Sequence, residues 1–144
     1  DVLIGGEESG GIAIKGHIPE RDGIWMGLVL FEYMAKSGKS LEELIEEVYG
    51  LVGAFKYWRD DLHIDEKVKN AIVKKCNKDQ FKSFGNYTVQ TIDKTDGFKF
   101  ILSDDEWLMI RPSGTEPVLR CYAESKDLKG AKDILSACKK EIGV

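Results

Sequence analysis

The spacing of apolar residues changes partway along the chain, and the change predicts two differently built units. Residues 24–36 are dominated by apolar side chains and stop short of Gly38, which predicts a well-buried helix with a glycine at its C-terminal end. Ser40-Leu41-Glu42-Glu43 has capping-box spacing, and Leu41, Leu44, Ile45, Val48 and Val52 then recur on one helical face. Ahead of both, Asp1-Val2-Leu3-Ile4 reads as a buried strand running into a Gly-rich loop. Residues 55–64 mix aromatic and charged side chains and read as an extended connector. Asp65 then caps a helix from Glu66 to Cys76 that carries Val68, Ala71, Ile72 and Lys75 along one side.

Beyond residue 81 the pattern becomes strand-like. Tyr87 to Ile92, Phe98 to Leu102, Trp107 to Arg111 and Val118 to Ala123 predict four strands, with Asp96-Gly97 as a hairpin signal. A four-stranded antiparallel sheet is the simplest closure. A last helix from about Leu128 sets Leu128, Ala131, Ile134, Leu135, Cys138 and Ile142 on one face, ready to cover it.

Composition narrows the classes. The chain has 144 residues, 42% of them hydrophobic, with a formal net charge of −4, which argues against non-specific nucleic-acid binding. No run approaches the roughly 18–20 apolar residues of a membrane span, so a cytoplasmic protein without a membrane partner is the default expectation. The three cysteines have neither paired nor metal-ligand spacing and are expected to be reduced, with no zinc site. The lysines at 67, 69, 74, 75 and 78 read as a solvated helix face, and Asp60 and Asp61, adjacent on an extended segment, should point to opposite sides.

Candidate chemistry concentrates in Arg111-Pro112-Ser113-Gly114-Thr115-Glu116-Pro117. An arginine fork, two hydroxyls and a glycine-opened backbone suit a phosphate dianion, and Arg120 lies close enough in sequence to add a second cation. Pro, Ser and Gly also make ordinary turns; the placement between two apolar strands favours binding. At the other end, Gly6-Glu7-Glu8-Ser9-Gly10-Gly11 offers Glu7 as an acceptor for adjacent sugar hydroxyls and Ser9 as donor or acceptor, with glycines that let a ring approach the backbone. Arg21 is the one further candidate, able to meet a phosphate or a developing charge, or to pair with Glu20 or Asp22.

The string RPSGTEP resembles the phosphate-binding loop of the phosphoglucomutase and phosphomannomutase family, the phosphohexomutases. The string GEESGG, followed by His17-Ile18-Pro19-Glu20-Arg21-Asp22-Gly23, resembles that family's sugar-recognition loop. The resemblance implies a C-terminal fragment of a mutase that moves a phosphoryl group between C1 and C6 of glucose or mannose phosphate. Hexose 1,6-bisphosphate would be its intermediate or activator, and upstream domains of the same chain its partners. It assigns sugar contacts to Glu7 and Ser9, and the non-reacting phosphate to Arg111, Ser113, Gly114, Thr115 and Arg120. Arg21 stands where relatives often have Lys, and Gly11 where some have His. The family's phosphoserine loop and its aspartate-rich loop for Mg²⁺ have no counterpart here, so the chain alone is expected to be inactive, with no metal site of its own. A phosphoglucosamine mutase fragment and a non-catalytic sugar-phosphate module are the alternatives. An RNA platform using Tyr87, Phe98, Phe100 and Trp107 is the disfavoured rival.

The expected architecture is therefore an α/β tail of a sugar-binding domain, residues 1–54, then a connector and helix, residues 55–80. An α+β phosphate-binding domain follows over residues 81–144, with a four-stranded antiparallel sheet covered by helices.

Overall fold

The computed structural model describes residues 2–7 and 10–144, which divide into one compact unit ending at Val52 and a second running from Gly53 to Val144. The architecture is the expected one, α/β elements followed by α+β.

In the first unit, β1 (Ile4–Gly6) and β2 (Ile12–Ile14) pair antiparallel, Ile4 opposite Ile14 and Gly6 opposite Ile12. Helix α1 (Gly23–Ser37) starts at Asp22, whose carboxylate accepts from the Ile24 and Trp25 N–H groups, and ends at Gly38 in the left-handed region at φ 69°. Only glycine adopts that conformation without a Cβ penalty. Helix α2 (Leu41–Val52) has the capping box its sequence predicts: the Glu43 N–H donates to Ser40 Oγ, and Glu43 Oε2 accepts from the Ser40 N–H at 2.7 Å.

The expectation of a well-buried α1 does not hold, because no described residue of the first unit is buried. Leu28 and Phe31 on α1 are 62% and 68% exposed, and Ile4, expected in a buried strand, is 56% exposed. A hairpin and two helices supply too little surface to enclose one another's apolar faces.

The second unit holds the core. Strand β3 (Lys56–His63) is followed by α3 (Glu66–Asn77), the small hairpin β4 (Ser83–Phe84) and β5 (Tyr87–Thr88), then β6 (Thr91–Asp93), β7 (Phe98–Ser103), β8 (Glu106–Pro112), β9 (Val118–Ser125) and α4 (Leu128–Ile142). The main sheet has five strands rather than four, in the order β3-β9-β8-β7-β6, and every neighbouring pair is antiparallel. The fifth is β3, the stretch read as an extended connector. Its alternation is that of an edge strand with two differently used faces: Trp58 and Asp60 meet Lys132 and Lys139 of α4, while Asp61 pairs with Arg59 on the other side.

Phe98 and Phe100 of β7, Leu108 and Ile110 of β8, and Leu119, Cys121 and Ala123 of β9 line the inner face of the sheet. Ala131, Ile134, Leu135, Cys138 and Ile142 of α4, with Ile72 and Cys76 of α3, close over them. Each large apolar side chain enclosed in this way contributes about 1.5–3 kcal/mol. Phe98 and Phe100, which an RNA platform would need at the surface, belong to this core. The three cysteines are unbonded and buried; burial pushes the Cys76 thiol up to about 12, and a hydrogen bond with Cys121 raises that of Cys138.

This unequal packing has a measurable consequence. In native-state hydrogen exchange of the whole chain, amides of α1 and α2 should exchange orders of magnitude faster than those of β7 to β9. Equal protection of the two sets would contradict the burial described here.

Candidate functional site

Strands β8 and β9 place the loop at residues 113–117. Their register sets Ile110 opposite Cys121, Arg111 opposite Arg120 and Pro112 opposite Leu119, so the two arginines share the sheet face turned away from the core. Directly opposed like charges destabilise a strand pair unless an anion or carboxylates compensate. Here the compensation lies to the sides: Arg111 Nε is 3.3 Å from Asp96 Oδ1, and Arg120 Nη2 is 3.7 Å from Glu116 Oε2. Asp61 lies across from Arg120 on β3 but is taken up by Arg59 at 3.0 Å. Both arginines keep about a third of their side-chain surface exposed, 38% and 34%.

Within the loop, the Ser113 N–H donates to the Val118 carbonyl, and Ser113 Oγ accepts from the N–H groups of Thr115 and Glu116 at 3.4 and 3.3 Å. These are long bonds, so both donors are weakly committed. A Cβ at Gly114 would meet no protein atom within 4 Å, and its φ is not positive. Neither backbone conformation nor packing demands glycine there; close approach of something else to the backbone is what its missing side chain permits. The structure thus brings Arg111, Ser113, Gly114, Thr115 and Arg120 to one end of the β8–β9 pair.

Two residues of this end were read in the sequence only for their local structure, not as neighbours of the loop. Asp96, in the turn between β6 and β7, flanks Arg111. Lys69, grouped above with solvated lysines, is buried beneath the loop at 8% side-chain exposure. The signal for Lys69 was its spacing: it lies three and seven residues before Ile72 and Cys76, on the buried stripe of α3, which runs through 69, 72 and 76 in place of the expected 68, 71, 72 and 75.

The second candidate loop belongs to the first unit and turns between β1 and β2. The Glu7 N–H donates to the Gly11 carbonyl at 2.9 Å and Gly10 has φ 88°. Glu8 and Ser9 lie outside the described residues, so the role expected of Ser9 has no structural counterpart here. Arg21 pairs with Glu7 through Nη1 and with Glu20 through Nε at 3.1 Å, and these two carboxylates, Glu20 first, raise its pKa. A Cβ at Gly11 would fall 2.7 Å from Arg21 Cδ, so the stem of Arg21 occupies the space a side chain at 11 would fill. Glu7, Arg21, Glu20, Pro19, Gly6 and Gly11 border a depression of about 250 Å³. His17 has a different task, for it stacks on Trp25 and meets Asp22 Oδ2 at 2.9 Å, bracing the start of α1. Backbone N–H donation from Trp25, then the bond to His17, holds the Asp22 pKa below its ordinary value.

Among the described residues no group of three His, Cys, Asp or Glu is placed to hold a metal ion.

Comparison with known proteins agrees with the two-unit division. Residues 1–52 match the model described as phosphoglucomutase/phosphomannomutase, alpha/beta/alpha domain III, and residues 60–140 match its C-terminal domain. A phosphoglucomutase/phosphomannomutase of Thermococcus kodakarensis is 34% identical over 92% of the chain and 26% of its own length. A phosphoglucosamine mutase of Methanococcus aeolicus is 37% identical over 94% of the chain and 28% of its own length. The chain thus spans between a quarter and a third of these relatives. A crystal structure of a phosphoglucomutase/phosphomannomutase family protein from Burkholderia thailandensis superposes over 96% of the chain with a TM-score of 0.66 at 18% identity, a likeness of fold.

The turn that carries Asp96 offers a test. Gly97 has φ 96°, and a Cβ there would lie 3.1 Å from the Ile110 carbonyl, so Gly97→Ala should destabilise the chain by about 1–3 kcal/mol and loosen Asp96 from Arg111. An unchanged thermal midpoint would refute that account of the turn.

Proposed function

Because the chain belongs to the phosphoglucomutase/phosphomannomutase family, we propose that it is the sugar-reading and phosphate-anchoring portion of a phosphohexomutase. The reaction would move a phosphoryl group between C1 and C6 of glucose or mannose phosphate. The observation that carries this reading is the pair Arg111 and Arg120, held opposite each other beside a loop whose glycine is required by no protein neighbour.

A phosphate dianion between the two guanidinium groups would relieve their repulsion and accept charge-assisted hydrogen bonds from both. The N–H of Gly114 and the hydroxyls of Ser113 and Thr115 would take its remaining oxygens. In the first unit, Glu7 would accept hydrogen bonds from sugar hydroxyls, with Arg21 orienting its carboxylate and Ser9 as a further contact. Anchoring the non-reacting phosphate leaves the transferring one to other residues. Phosphoryl transfer depends on positioning and charge neutralisation at the moving group, so the chain alone would bind without turnover. Mg²⁺, hexose 1,6-bisphosphate and a cytoplasmic setting belong to this proposal as properties of a longer parent.

An amino-sugar phosphate is the second reading, favoured by the likeness to phosphoglucosamine mutases. Calorimetric titration with glucose, mannose and glucosamine 1-phosphates separates the sugars, and single-stranded RNA tests the rival. Arg111→Ala should weaken binding of the preferred sugar phosphate about tenfold or more, from the loss of roughly 1.5–3 kcal/mol of charge-assisted hydrogen bonding. Undiminished affinity in that variant, or tight RNA binding with no response to sugar phosphates, would refute the proposal.

A further inference from the structure

Lys69 has no part in the function proposed so far, and we infer that it is the positioning residue of the phosphate loop, setting the direction in which the loop's peptide groups face. This rests on the assignment of residues 111–120 to a phosphate and extends it to a group that does not touch the ligand.

Helix α3 runs beneath the loop and presents Lys69 to it. The ammonium donates to the Ser113 carbonyl at 3.3 Å and the Glu116 carbonyl at 3.1 Å, and pairs with Glu66 Oε2 at 2.9 Å. An ammonium has three N–H donors, and here each has an oxygen to meet. That complete set is what makes a lysine tolerable with only 8% of its side chain exposed.

The consequence for the loop follows from peptide geometry. In a trans peptide the carbonyl of one residue and the N–H of the next point in opposite directions. Holding the Ser113 carbonyl toward Lys69 therefore turns the Gly114 N–H away from α3. The peptide after Glu116 leads into Pro117, which has no N–H, so drawing that carbonyl inward turns no donor away. One cation thus fixes both ends of the turn. Ser113 Oγ, 3.4 and 3.3 Å from the Thr115 and Glu116 N–H groups, adds a weaker closure from within. A neutral side chain would hold the two carbonyls more weakly, because hydrogen bonds from a charged donor are the stronger kind.

The test titrates the whole 144-residue chain with inorganic phosphate, following loop and sheet amides by NMR. Lys69→Met keeps the apolar stem and removes the donors. It should weaken phosphate binding about tenfold and shift the Gly114 and Thr115 amides even without phosphate, leaving the amides of β7 in place. Lys69→Arg, which keeps charge and donors, should restore most of the affinity, whereas a purely packing role would follow side-chain volume in both variants. Should Lys69→Met fail to fold, Lys69→Gln, with a neutral N–H donor, replaces it and should lose affinity while folded. Equal phosphate affinity in the wild type and the folded donor-poor variant would overturn the role of Lys69 alone. Absence of phosphate binding by the wild type would overturn the phosphate assignment as well.

Discussion

Antiparallel pairing of β8 with β9 carries two demands at once. On one face it must bury Leu108, Ile110, Leu119 and Cys121, and on the other it must set Arg111 across from Arg120. Because side chains alternate along a strand, the same register satisfies both. A slip of one residue along β9 would turn Arg120 toward α4 and leave a cation without partners in the core, at a cost far above the few kcal/mol by which domains are stable. The hydrophobic core thereby enforces the spacing of the two guanidinium groups. It also fixes the ends of the loop at residues 113–117, whose carbonyls then fall within reach of Lys69.

Electrostatics at this end follow from that placement. Asp96 and Glu116 each offset one of the opposed arginines, and the partial exposure of all four keeps those pairs weak. A tight ion pair would block an incoming anion; a loose one can be exchanged for it. The first unit makes a comparable arrangement with the signs reversed, where the Glu7 carboxylate is met by Arg21 in the space left by Gly11.

Much of this was legible in the sequence because it is local. The capping box at Ser40, the cap at Asp65, the glycine stop at Gly38 and the hairpin at Asp96-Gly97 depend on neighbours a few residues away, and each appears as read. What sequence could not supply was long-range. Strand β3 reads as a connector because its edge position lets charged residues occupy both faces, and only its pairing with β9 reveals it. The exposure of α1 depends on how much surface the rest of its unit offers, which periodicity does not encode. Lys69 looked solvated because lysines usually are; the carbonyls that make its burial possible lie forty-odd residues later in the chain. Among the candidate site residues, the cluster at 111–120 was visible as a motif, whereas the pairing of Glu7 with Arg21 needed the fold of the first unit.

The proposed anchoring requires a phosphate lying between Arg111 and Arg120. A crystal structure of the chain with a hexose 1-phosphate tests this most directly. The expected result places the phosphate oxygens within hydrogen-bonding distance of both guanidinium groups and the Gly114 N–H, with Lys69 still holding the carbonyls beneath. Phosphate density at another surface, with the two arginines left on Asp96 and Glu116, would contradict it.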